Sequence, residues 1–305
     1  MFVIRNQKFF LGLSVFFMVL SIVAISVYGL RWGIDFTGGT LMEVEREGGF
    51  SFSELEALKE TIEQSIDATV LLQPSEENGL LIRTRTLSEE EHRMVLSALE
   101  KETTEASEVI EKRFDSVGPV IGQELRSKSY WAIGIVVVLI VLYIAFAFRK
   151  VSKPVSSWKF GVVAIISLVH NILIPIGLFA LLGHYFLEYQ IDALFVTALL
   201  AIFGFSVNDT IVIFDRIREN LGKVQERSPK PFREIVGESI SQTLSRSFNI
   251  SLAIMLVLLT LYFIGSDATR EFSFVLGLGV LFGTYSSICF ASPLLVVAEK
   301  IQKKK

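Results

Sequence analysis

Six apolar runs, each long enough to cross roughly 30 Å of hydrocarbon, fix the class of structure this chain can adopt. They are read as Phe9–Leu30, Tyr130–Phe148, Phe160–Leu182, Ile191–Phe214, Phe248–Ile264 and Phe272–Ala298. No water reaches backbone N–H and C=O groups inside lipid, so runs of this length must be helices. With 51% hydrophobic residues and a mean hydropathy of +0.53, the chain is too apolar for an ordinary soluble domain. The first run follows Arg5 and Lys8 as a signal peptide would. Its apolar stretch exceeds a signal core and no small-x-small site precedes Arg31, so it reads as an uncleaved anchor.

Lys and Arg near helix ends set orientation. Arg5, Lys8, Arg149, Lys150, Lys153, Lys159, the series Arg216 to Arg233 and the tail Lys300 to Lys305 collect on one side; the two short loops opposite hold only Arg270. Both termini are therefore expected in the cytoplasm, with residues 1–30 as N-terminus and first span, 31–128 as an extracytoplasmic domain and 129–305 as spans two to six. The outer segment is acidic (Glu43, Glu45, Glu47, Glu89, Glu90, Glu91), which does not suit nucleic acid. Lipid is the expected surroundings of the rest.

The outer segment alternates strand, helix, strand, strand, helix, strand. Leu41 to Arg46 alternates as a half-buried strand. Ser53 is expected to cap a helix to about Ile66, with Glu56 completing a capping box and Leu55, Leu58, Ile62 and Ile66 as its apolar stripe. Ala68–Gln73 and Leu80–Arg85 read as a hairpin across Pro74 to Gly79. Ser88 with Glu91 caps a helix Glu89–Glu102, and Val109–Asp115 reads as the last strand. This βαββαβ order is the α+β ferredoxin-like arrangement. After Gly118-Pro119 the chain is either a linker or the start of a helix running into span two.

Ionisable side chains at membrane depth cost roughly 2.5–3.5 kcal/mol on insertion scales and mark functional sites. Asp209 is the clear case, in Gly204-Phe205-Ser206-Val207-Asn208-Asp209-Thr210, about 10 Å of helix before Arg216 at ~1.5 Å per residue. Ala201, Gly204, Phe205, Asn208 and Asp209 share one face of small and polar residues. Arg246 opens span five on a stripe with Gln242 and Asn249; it reads either as a snorkelling side chain or as the partner of Asp209. His170-Asn171 lie mid-span ahead of Pro175, His170 being either a bonded core residue or a proton relay. Gly279, Gly283, Ser287 and Ala291 form a small-xxx-small ladder for close helix packing.

Enzymatic readings find no support: the sequence has no H-E-x-x-H, P-loop or G-x-S-x-G, and one clear membrane Asp does not make a two-aspartate protease. The single Cys289 allows no intrachain disulfide or cysteine metal site, so neither metal nor cofactor is expected.

Trp32-Gly33-Ile34-Asp35-Phe36-Thr37-Gly38-Gly39 after the first span resembles the signature of the SecD and SecF protein-export subunits. Ser206 to Asn220 is similar to the fourth-span motif of SecF, and Gln242 to Ser247 and Gly283 to Ser287 match its last two spans. The resemblance implies a subunit of resistance–nodulation–division type in the inner membrane. It would pair with SecD and assist the SecYEG channel and SecA, with YajC and YidC as further partners. The complex would draw preproteins outward with the proton-motive force. The family's membrane Asp maps to Asp209 and its span-five Arg to Arg246, with Asn208, Thr210, Gln242, Asn249 and His170 as a supporting polar face. Relatives often carry His-Asp where this chain has His170-Asn171, which puts a second carboxylate in doubt. The alternative is half of a small-molecule or lipid exporter of the same superfamily.

Overall fold

The computed structural model describes residues 2–75, 78–101, 109–148, 155–186, 189–227 and 230–303. In chain order the elements are α1 (Phe2–Arg5), α2 (Gln7–Tyr28), α3 (Ile34–Thr37), β1 (Gly39–Arg46), α4 (Phe52–Ile66), β2 (Leu71–Pro74), β3 (Gly79–Thr84), α5 (Glu89–Lys101), β4 (Val109–Val117), α6 (Pro119–Ala147), α7 (Ser157–Tyr185), α8 (Ala193–Arg227), α9 (Phe232–Ile264), α10 (Asp267–Ser286), a π-helical turn (Ser287–Ala291) and α11 (Ser292–Lys303). Six helical stretches are long and apolar enough to span a membrane: Gln7–Tyr28, Pro119–Ala147, Trp158–Tyr185, Ala193–Lys223, Phe232–Ile264 and Thr269–Gln302. The expected flanks Arg149, Lys150, Lys153, Lys304 and Lys305, the end of the second helix at Glu102 and part of the hairpin turn lie outside the described residues.

The chain divides into two compact units. One comprises Arg31–Tyr130 with Tyr185–Ala193. Its sheet has the order β2-β3-β1-β4, every neighbouring pair antiparallel, which is the ferredoxin-like topology expected from the βαββαβ order. Met42 and Val44 point inward from β1 while Glu43 and Glu45 point away, as the period of two requires. They meet Leu58, Ile62 and Ile66 of α4, Leu80 and Ile82 of β3, and Val95, Ala98 and Leu99 of α5. Leu55, the fourth stripe residue, is partly buried against this core.

Sequence boundaries shift where polar residues carry the structure. Helix α4 starts two residues earlier than the Ser53–Glu56 pattern suggests: its cap is Ser51, whose N–H donates to Glu54 at 2.8 Å, with the reciprocal bond also made. The Ser88–Glu91 box forms as expected. The stretch after Gly118 is helix, not linker; Pro119 occupies the first helical position, where a missing N–H costs nothing. Helix α9 begins at Phe232, well before the apolar run at Phe248. Its early turns alternate charge with a buried stripe of Phe232, Ile235, Val236, Ser239, Ile240, Thr243 and Ser247, which hydropathy alone does not see.

The other unit is helical and contains Met1–Leu30, Trp131–His184 and Leu194–Lys305. Phe148, Phe160 and Phe214 interlock at one end, with ring centroids 5.4–5.8 Å apart. Helix α2 is held by close contacts with its neighbours. Tyr285 Oη donates to the Phe10 carbonyl at 3.1 Å and accepts from Ser14 Oγ at 3.2 Å. Gly177 of α7 lies so close to Ser21 that a Cβ there would stand 2.5 Å from the Ser21 Cα.

The two caps make the α+β unit acid-sensitive. The Ser51 N–H, then Arg46, lowers the Glu54 carboxyl to about 2; Arg85, then the Ser88 N–H, lowers that of Glu91 to about 2. Depressed carboxyls stabilise the fold above the unfolded Glu value of about 4.3 and lose that contribution as pH falls toward about 2. Amide-exchange protection at the first turns of α4 and α5 should therefore decline between about pH 4.5 and 2. Glu54→Gln and Glu91→Gln should flatten that decline; equal pH dependence in wild type and both variants would contradict it.

Candidate functional site

A band of buried polar side chains crosses the helical unit at the level of Asp209. Asp209 is 7% exposed, and its Oδ2 accepts a hydrogen bond from Ser287 Oγ. The Ser247 hydroxyl on α9, also buried, faces the same carboxylate without reaching hydrogen-bond geometry. One turn earlier on α8, Ser206 Oγ accepts from Asn171 Nδ2, and Asn171 Oδ1 meets His170 Nδ1 at 2.9 Å. Ser167 Oγ donates to Ser286 Oγ at 3.2 Å. His170 is fully enclosed, its ring stacked 4.8 Å from Phe290, and its Nε2 has no partner among the described residues.

The glycine ladder explains how this band closes. A Cβ on Gly279 would stand 2.1 Å from Ile202 Cγ1, and one on Gly283 would stand 3.5 Å from Phe205 Cδ1. Ile202, Phe205, Ser206 and Asp209 present one face of α8 at three- and four-residue spacing, and Gly279, Gly283 and Ser287 answer it. The ladder therefore packs within the chain. Without side chains at the first two rungs the helices approach closely enough for the third rung to reach the carboxylate.

The π-turn starts at that third rung. Pro293 supplies no N–H to the Cys289 carbonyl and its ring crowds that carbonyl in a straight helix. The widened turn Ser287–Ala291 relieves this, and Ser292 Oγ donates to the Ser287 carbonyl at 2.8 Å. Such turns recur at functional positions. Pro175 in α7 likewise withholds an N–H from the Asn171 carbonyl, four residues back.

The other residues marked in the sequence fall in different places. Thr210 is buried beside Asp209, whereas Asn208 and Asn249 are exposed. Gln242 joins a separate cluster, its Oε1 accepting from Arg216 Nε at 2.6 Å and Asn220 Nδ2 at 2.9 Å. Arg246 is exposed on α9, and no ion pair joins it to Asp209 among the described residues. Sequence reasoning placed Ser287 in the packing ladder, not on the carboxylate, and did not single out Ser167 or Ser286. A hydroxyl at ladder spacing opposite Asp209 was the available signal. Among the described residues no cluster of His, Cys, Asp and Glu could hold a metal.

The chain matches the family described as "Protein export membrane protein SecD/SecF, C-terminal" over residues 97–301 and the SecD/SecF GG motif over residues 23–48. It is 39% identical to the protein translocase subunit SecF of Thermobaculum terrenum, across 96% of this chain and 92% of that one. It is 35% identical to SecF of Anaerolinea thermophila, across 97% and 94%. The crystal structure of SecDF from Thermus thermophilus, a translocon-associated membrane protein, superposes with a TM-score of 0.79 at 31% identity, covering 98% of this chain and 38% of that one.

The ladder geometry separates its two glycines. Gly279→Ala should destabilise the detergent-solubilised protein by about 1–3 kcal/mol, because Ile202 is enclosed and cannot step aside. Gly283→Ala should melt near wild type, since 3.5 Å is ordinary contact, while Gly283→Leu should not. Thermal unfolding checks the order; equal tolerance of Gly279→Ala and Gly283→Ala would contradict the packing described.

Proposed function

Since the chain belongs to the SecF family of protein translocase subunits, we propose that it works in protein export as the ion-driven partner of SecD, Asp209 being the group that senses the gradient. The fusion of both parts in SecDF of Thermus thermophilus, of which this chain matches 35%, supports SecD as the second half. Preproteins delivered through SecYEG after the SecA step are the cargo. Both termini lie in the cytoplasm of an inner-membrane protein and the α+β unit faces outward.

One observation carries this reading: a carboxylate enclosed within a hydrocarbon-length helix, met by a hydroxyl and, among the described residues, by no cation. An ionised carboxylate there lacks the pairing that buried charge requires, so its gain and loss of a proton change the balance of forces between α8 and α10. Charged, it attracts a cation; protonated, it settles for hydroxyl partners. Two helix arrangements follow, and a gradient biases them. Arg246 stands on a face of α9 that the chain itself leaves open, together with Asn249 and Ile250. SecD would cover that face, and rearrangement there would bring the guanidinium into play. Near-complete coverage of SecF relatives favours this reading over an exporter half.

Asp209→Asn keeps size and hydrogen bonding and removes titration. The variant complex should assemble, yet release preprotein from vesicles at the rate seen without a gradient. Arg246→Met should do the same, and the double variant should lose less than the sum. Wild-type gradient dependence in Asp209→Asn would overturn the assignment.

A further inference from the structure

The start of helix α8, which carries Asp209, is bonded to a segment far away in the sequence. The first-turn N–H groups of a helix lack intrahelical partners and favour negative charge. The Ala193 N–H donates to Asp35 Oδ2 at 3.0 Å, a carboxylate from α3 that lies 158 residues earlier in the chain. The neighbouring backbone is paired as a short parallel bridge between Trp32 and Ile191. Ile191 N–H donates to the Arg31 carbonyl at 2.8 Å, and Gly33 N–H to the Ile191 carbonyl at 2.9 Å. Arg83 of β3 closes the joint. Its Nη2 donates to the Trp32 carbonyl at 2.9 Å and its Nη1 to Gln190 Oε1 at 3.1 Å.

The same short segment also receives the start of α6. Gly38 and Gly39 have φ of +73° and +121°, a region that L side chains avoid. A Cβ on Gly38 would stand 2.9 Å from Pro119 Cα, one on Gly39 2.8 Å from the Thr84 carbonyl, and one on Gly122 2.9 Å from Gly38 N. Residues 31–39 thus gather the start of β1, the end of β3 and the first turns of α6 and α8. Every one of these contacts lies inside the α+β unit, while α8 continues unbroken to Asp209.

We propose that Asp35 is a positioning residue for Asp209: with the Trp32–Ile191 bridge it holds the start of α8 fixed to the α+β unit throughout the transport cycle, so that displacement of α8 and displacement of the sheet are one motion. The proposal rests on Asp209 as the gradient sensor. A joint that stays closed transmits force in either direction along a continuous helix. A joint that opened would waste the rearrangement at Asp209 in local motion.

The test uses the full chain in its complex with SecD, in vesicles, reading preprotein release with and without a proton gradient. Asp35→Ala should lose the gradient-dependent part of release and keep the gradient-independent part. Asp35→Asn should retain both, because an amide oxygen accepts the same N–H. Gly33 has φ −69°, compatible with cysteine, and an ideal Cβ there lies 3.0 Å from Asp192 Cβ. That is about 0.5 Å under the span of disulfides, about 3.5–4.5 Å, so Gly33→Cys with Asp192→Cys links the joint once the two backbones part by that amount. Oxidised, the link should leave gradient dependence intact when Asp35 is present and restore it in Asp35→Ala; reduction should remove the restoration. Full gradient dependence in Asp35→Ala, or its loss on oxidation with Asp35 present, would overturn the joint. If Asp35→Ala cannot be recovered, the oxidised link beside Asp35 decides alone. Gradient dependence persisting in Asp209→Asn would instead count against the sensor assignment.

Discussion

The bond between Ser287 and Asp209 is the contact around which the helical unit is organised. A carboxylate removed from water needs a polar partner, and Asp209 finds its partner on another helix. For a short serine side chain to reach it, α8 and α10 must approach closely. Gly279 and Gly283 permit that approach, and the π-turn that Pro293 imposes begins at Ser287 itself. Ser206, Asn171, His170, Ser167 and Ser286 extend the polar layer sideways. A packed apolar interface would be tighter and inert. This one holds an ionisable group among hydroxyls that can donate or accept, so its hydrogen bonds can be redrawn without breaking the packing.

The path from that site to the α+β unit is covalent. From Ala193 to Asp209 the chain is one helix, about 24 Å long at ~1.5 Å per residue. Its start is tied by Asp35, the Trp32–Ile191 bridge and Arg83 to a small sheet with its own core. The glycine pair after α3 serves a physical end: only residues without a Cβ fit between Thr84 and Pro119 at those backbone angles.

Much of this was legible in the sequence for identifiable reasons. Hydrocarbon-length apolar runs leave few alternatives to helices, and the ferredoxin-like order followed from period-two strands and the Ser88–Glu91 cap. The glycine ladder was visible because four-residue spacing survives in any straight helix. What stayed hidden depends on pairing across distance. Asp35 and Ala193 are far apart in sequence, so the motif Trp32 to Gly39 could be recognised but not understood. The Ser51 cap was missed because Ser53–Glu56 repeats the same pattern two residues later. The polar first half of α9 masked its helicity, which comes from a buried stripe and not from mean hydropathy. Gln242 shared a sequence stripe with Arg246, yet Arg216 and Asn220 claim it.

The central claim is that Asp209 changes protonation when the gradient acts. Infrared difference spectroscopy on the SecD complex in sealed vesicles observes this directly, through the carboxylic-acid C=O stretch. The account predicts a band that changes intensity when a proton gradient is imposed, reverses when the gradient is collapsed, and is missing from the difference spectrum of Asp209→Asn. A difference spectrum identical in wild type and Asp209→Asn would contradict it.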